Sequence, residues 1–80
     1  MDWRERITVD PAICHGQACI KGTRIMVSII LDYLHGGESH EEILRQYPSL
    51  QSADIDAAFG YAVWLAHEEE VYPLHTEATV

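Results

Sequence analysis

Three apolar runs at helical spacing, separated by two clear breaks, set what this chain can fold into. Val27, Ile30, Leu31 and Leu34 stand at i, i+3, i+4 and i+7, one face of a helix from about Val27 to His35. Ile29 and Tyr33 form a second, less buried pair on that helix. Gly36-Gly37 ends it, as glycine does just past a helix C-terminus. Ser39-His40-Glu41-Glu42 then fits a capping box, with the Ser39 hydroxyl capping and Glu42 reaching back. Ile43, Leu44 and Tyr47 face inward from this second helix, and Pro48 ends it. A third helix begins near Ser52 or Ala53 and extends toward Glu70. Ile55, Ala58, Phe59, Ala62 and Ala66 trace a core stripe along it. Ala57, Tyr61, Trp64 and Glu68 trace a second stripe, so one face packs inside and the other meets a partner. Glu68-Glu69-Glu70 sits where the helix dipole disfavours acid.

Ahead of the helices, Cys14–Val27 holds both cysteines together with Gly16 and Gly22. The two glycines mark places where the backbone needs positive φ or close approach. Ile7-Thr8-Val9 favours β structure and is stopped by the turn-forming Asp10-Pro11. It is expected to pair with Ala18-Cys19-Ile20 in a small ribbon, with Ile13 as a core anchor. A two-stranded ribbon is weak alone and needs helices, or a second copy of itself, to lie on. The expected fold is mostly α: a three-helix helix-turn-helix (homeodomain-like or winged-helix type) preceded by a short N-terminal β-ribbon. Eighty residues make one domain. Residues 1–26 form its β/turn segment, 27–70 its three helices and 71–80 an extended tail. A plain three-helix bundle with no DNA role gives much the same pattern.

Charge is distributed unevenly. The net charge is −8, and residues 1–24 carry four basic against three acidic side chains, whereas residues 25–80 carry one against ten. Any nucleic-acid contact therefore comes from the N-terminal third, while the acidic remainder suits a basic protein partner. A solvated acidic surface that only keeps the domain soluble is the plainer alternative. The charged start Met1–Arg6 lacks the apolar stretch of a secretory signal, and no apolar run reaches membrane-spanning length. Two cysteines in such a chain point to the reducing cytoplasm.

Several chemistries are set aside by spacing. Cys14, His15 and Cys19 offer metal ligands, but a C-x4-C pair without a second compact pair does not make a tetrahedral zinc site. The same spacing is wrong for a C-x-x-C redox motif. Cys14 beside His15 is not a positioned nucleophile and base, and so short a chain leaves little room for a substrate pocket. Gly16 to Thr23 has the residue types of a phosphate loop in the wrong order. No catalytic residue, cofactor or metal is expected. For DNA, Gln51 and Ser52 open the third helix where base-reading side chains sit, with Asp54 and Asp56 behind them. Arg4, Arg6, Lys21, Arg24 and Arg45 would supply the phosphate contacts.

Ile7-x-x-Asp10-Pro11-x-Ile13-Cys14-x-Gly16-x-x-Cys19-Ile20-Lys21-Gly22-Thr23-Arg24-Ile25-x-Val27 closely resembles the family of domains of unknown function numbered 433. Gly36, Glu41-Glu42-Ile43-Leu44, Tyr47-Pro48-Ser49-Leu50, Asp54-Ile55-x-Ala57-Ala58 and Tyr61-Ala62 extend the likeness over roughly residues 7–74. One departure is Gln51, where the family often has a helix-capping Thr. The resemblance implies a homeodomain-like helix-turn-helix and a VapB-like antitoxin of a type II toxin–antitoxin system. Such a protein dimerises, binds its own promoter and neutralises a PIN-like ribonuclease toxin. Tyr61, Trp64, Val71, Tyr72 and Leu74 are the expected toxin anchors. A stand-alone DNA-binding regulator and a small protein-interaction module are the alternatives.

Overall fold

The computed structural model describes residues 2–68. They form three helices and a short antiparallel two-stranded ribbon at the N-terminus. A 3-10 turn at Trp3–Glu5 leads into β1 (Ile7–Thr8). A second such turn at Cys14–Gly16 precedes β2 (Cys19–Ile20). The helices follow as α1 (Val27–His35), α2 (His40–Gln46) and α3 (Ser52–Glu68).

The ribbon is built by its turns. Asp10 accepts hydrogen bonds from the Ala12 N–H through its side chain (2.8 Å) and from the Ile13 N–H through its carbonyl (2.9 Å). Pro11, at the second position of that turn, supplies the fixed φ it needs. Ile7 pairs with Ile20 and Thr8 with Cys19. Strand pairing stops there, and Val9 is exposed rather than part of the strand. After β2 the chain reverses through Ile20–Thr23, where the Thr23 N–H donates to the Ile20 carbonyl at 3.0 Å. Gly22 at φ +82° takes the turn position that requires positive φ, as in a type II turn. The chain then runs back along β2: Ile20 N–H donates to Ile25 O, and Val27 N–H to Ala18 O, each at 2.9 Å. The ribbon thus delivers the chain directly into α1.

Each helix end has a local cause. Beyond α1 the Gly37 N–H bonds Leu34 O at 3.0 Å and the Glu38 N–H bonds Tyr33 O at 2.9 Å, with Gly37 at φ +92°. Those two bonds are the Schellman pattern. At α2 the Ser39 hydroxyl caps the Glu42 N–H at 3.1 Å. Only that half of the expected capping box forms. The Glu42 carboxylate turns along the helix to Arg45 and Gln46 instead of reaching back, because a cation one turn away outcompetes a solvated backbone N–H.

Both strands and all three helices contribute to one core, with Leu50 from the loop before α3: Ile7, Ile20, Val27, Ile30, Ile43, Leu50, Ile55, Ala57 and Ala58. Ile20, Ile30, Ile43 and Ile55 are its largest buried side chains, each worth about 1.5–3 kcal/mol relative to exposure. Ile13 is only half-buried and belongs to the rim, not the core. The expected stripe on α3 also needs correction. Ile55 and Ala58 are buried, but Phe59 is 58% exposed, and Ala66 is exposed too. The buried face is Asp54, Ile55, Ala57 and Ala58, followed by partly buried Tyr61. The Trp3–Glu5 turn, α1 and α2 pack on α3, and among the described residues most of the apolar side chains beyond Ala58 stand partly or fully exposed.

Candidate functional site

The feature that ties the N-terminal segment to the helices is an ion pair. Arg6 donates through Nη1 to Asp54 Oδ1 at 2.9 Å, across 48 positions of chain. The Asp54 side chain is 8% exposed, and its second oxygen accepts the Gln51 N–H at 2.8 Å. Asp54 therefore sits in the first turn of α3 and reaches back to the Gln51 N–H, the reciprocal half of a capping box, with its charge at the favourable end of the helix dipole. Both carboxylate oxygens are satisfied, which is the condition for burying such a group at tolerable cost.

Two turns further along α3 lies a second anchor. Trp3 packs edge-on against Tyr61 (centroids 5.3 Å, 72°) and tilts toward Trp64 (5.5 Å, 49°). Gly60 makes room for it: a Cβ there would lie 3.2 Å from Trp3 Cδ1 and 3.3 Å from Trp3 Cβ. Arg4 lies over the Trp3 ring at 4.5 Å and within 5.9 Å of the Trp64 ring. It also pairs with Asp2, whose carboxyl is held below the usual carboxylate range, chiefly by the Arg4 backbone N–H.

The basic residues expected at a DNA edge therefore fall into two groups. Arg6 is committed to Asp54, and Arg45 on α2 is paired with Glu42. Lys21 and Arg24 stand exposed on the turn between β2 and α1. The Lys21 N–H donates to Arg6 O at 2.8 Å, and these two residues with Glu5 and Asp54 line one small cleft. Arg24 lines another with Ile13, Gly22 and Thr23. Gln51 and Ser52 are exposed at the start of α3. Tyr61 and Trp64 are largely engaged by Trp3. Val71, Tyr72 and Leu74 lie outside the described residues.

The cysteine stretch is a structural device. Cys14, His15 and Gly16 take positive φ in succession (52°, 55° and 80°), a left-handed turn that costs the two non-glycine residues about 1–2 kcal/mol each. The thiols point at successive carbonyls of the neighbouring turn, Cys14 Sγ to Arg24 O at 3.4 Å and Cys19 Sγ to Thr23 O at 3.7 Å. Both are free thiols. Burial, followed by the adjacent Cys14 side chain, pushes the Cys19 thiol up and away from reactive thiolate. Among the described residues no three His, Cys, Asp or Glu side chains gather as a metal site requires. No helix among them is long and apolar enough to cross a membrane.

Two surfaces escape a reading of residue types. Along α3, Phe59 and Val63 are exposed one turn apart, and Leu65 is exposed on another face. Between α1 and α2 a groove of about 450 Å³ is lined by Ile29, Asp32, Tyr33 and Tyr47. The isolated Gly60 inside a helical pattern was a usable signal for the docking of Trp3, since such a glycine marks close approach. The less buried Ile29–Tyr33 pair marks one wall of the groove, but nothing local places Tyr47 opposite it, because the two rings come from different helices.

The pattern of turns and core that these residues build is shared. A family model described as a protein of unknown function, DUF433, matches residues 7–62. The chain belongs to the DUF433 family. A crystal structure of a DUF433 member protein from Anabaena variabilis has the same fold, with a TM-score of 0.72 at 35% identity. The likeness covers 79% of this chain and 62% of that one, so this protein spans less than two thirds of that relative. No curated protein matches. The match ends at Tyr61-Ala62, so the exposed end of α3 falls mostly outside what the family model describes.

Proposed function

We propose that this DUF433 protein is a binding protein for a basic partner, and specifically the antitoxin of a type II toxin–antitoxin pair that neutralises a PIN-like ribonuclease. The carrying observation is the outward charge of the helices. Asp32, Glu38, Glu41, Asp56 and Glu68 are all exposed. The one Lys or Arg on α1–α3, Arg45, is paired with Glu42. A uniformly acidic surface with apolar side chains rising from it steers and holds a protein of opposite charge. It repels a phosphate backbone.

The DNA-binding part of the reading is narrower than the residue list suggested. With Arg6 committed, phosphate contacts fall to Arg4, Lys21 and Arg24 on the N-terminal segment, doubled in a homodimer. In a helix-turn-helix reading of α2 and α3, exposed Gln51 and Ser52 would face the bases and Asp54 would hold the recognition helix at its start. Co-expression with the product of the adjacent open reading frame tests the proposal. The neighbour should be toxic alone and harmless in the presence of this chain, and the two should co-purify. A neighbour that is not toxic, or stays toxic, removes the antitoxin reading. Binding to the promoter should weaken steeply with salt and with Lys21→Ala or Arg24→Ala; salt-independent binding or none removes autoregulation.

A further inference from the structure

We propose that the groove between α1 and α2 is a receptor for an arginine side chain of a protein partner. It deepens the reading of the chain as a binder of a basic protein, and rests on it. Tyr33 from α1 and Tyr47 from the end of α2 meet edge to face, with centroids 5.9 Å apart and planes at 65°. Both rings are half-buried against the core, so the pair is fixed before anything binds. Asp32 and Ile29 complete the lining. Asp32 is exposed and has no cation beside it among the described residues, whose ion pairs are Arg4–Asp2, Arg6–Asp54 and Arg45–Glu42. The charge of Glu38 adds to the negative field here. Together with the Tyr47 hydroxyl, which acts most strongly, and partial burial, it raises the Tyr33 phenol.

These parts match one side chain. Aromatic faces attract a cation, and a planar guanidinium stacks on a ring while pairing with a carboxylate. The methylene stem of the arginine would lie along Ile29. A hydrophobic ligand would leave Asp32 unpaired, and an anion would meet both Asp32 and the field of Glu38.

The test uses the full chain with N-acetyl-arginine amide as probe, followed by NMR. The neutral isostere N-acetyl-citrulline amide is the control. Saturable shifts confined to Asp32, Tyr33 and Tyr47, with Kd on the order of millimolar, are expected for arginine and not for citrulline. Asp32→Asn changes one exposed atom near a helix C-terminus and leaves the fold intact. It should weaken the probe at least about fivefold, and Tyr33→Leu should do so with the circular dichroism unchanged. No saturable shift, equal response to citrulline, or an unaltered Kd in Asp32→Asn overturns the proposal. A harmless neighbouring gene product alongside a positive titration removes the antitoxin reading and leaves the groove. A failed titration alongside toxin neutralisation does the reverse.

Discussion

The two halves of α3 are alike in composition and opposite in circumstance. In the first, Asp54, Ile55, Ala57 and Ala58 are buried where the Trp3–Glu5 turn, α1 and α2 pack on α3. In the second, Val63, Trp64 and Leu65 are at least 36% exposed, although among the described residues Trp3 packs on Tyr61 and Trp64. The difference lies in what the rest of the chain supplies. The N-terminal segment is fastened to α3 by Arg6 at Asp54 and by Trp3 at Gly60, Tyr61 and Trp64, and it leaves Phe59 and Val63 exposed. The first half therefore carries the fold, and the second half presents apolar side chains to whatever the protein meets.

The largest expected effect lies in the buried half. Ile55 is fully buried, and Ile55→Ala should cost about 3–4 kcal/mol by chemical denaturation, from lost burial and the cavity left behind. A cost below about 1 kcal/mol would show that the start of α3 is not the centre of the core. Next comes the ion pair. Arg6→Ala leaves a carboxylate at 8% exposure without its cation and should cost about 2 kcal/mol, the usual loss being reduced because Arg6 itself is one third exposed. The Arg6→Ala/Asp54→Ala double variant should lose less stability in total than the two single changes summed. Strict additivity in that double-mutant cycle would show that the residues do not interact.

Much of this half was legible in the residues. The bounds of α1, the Gly22 turn, the Asp10-Pro11 turn and the Ser39 cap follow from local chemistry, which acts over a few positions and leaves a signature of the same length. What local chemistry does not reach is what covers a surface. The spacing of Phe59, Ala62 and Ala66 matches that of Ile55 and Ala58, yet the cover stops between them. Asp54 read as an exposed acid at a recognition helix, because its partner lies 48 positions away. Of the Tyr33–Tyr47 groove one wall was legible, since Ile29 and Tyr33 read as a less buried pair on α1, while Tyr47, on another helix, read as core.

Gly60 lies close to the boundary between the two halves, one residue beyond Phe59, the first exposed large apolar side chain of α3. Alanine there gains about 1 kcal/mol of helix propensity but needs Trp3 to yield by a few tenths of an ångström. The two terms nearly cancel, so Gly60→Ala should change stability by less than about 1 kcal/mol. The informative readout is the indole of Trp3, whose fluorescence and NMR shift should move as the ring leaves its place against Tyr61. An unmoved Trp3 signal would mean that the N-terminal segment is not seated on α3.

The smallest expected effect on stability is at Phe59. Phenylalanine in a core loses about 3–5 kcal/mol on truncation to alanine, whereas Phe59, at 58% exposure, should lose less than about 0.5 kcal/mol. The same change should weaken binding of a protein partner at least about tenfold, because an aromatic side chain rising from an acidic surface is the kind of residue that dominates such interfaces. The pair of measurements separates two explanations of one side chain. A large loss of stability would mean that Phe59 is covered in solution, and a melting temperature that then rises with protein concentration would identify a second copy as the cover. Unchanged stability together with unchanged partner affinity would leave the exposed half of α3 without a role and move the search for the interface to the α1–α2 groove.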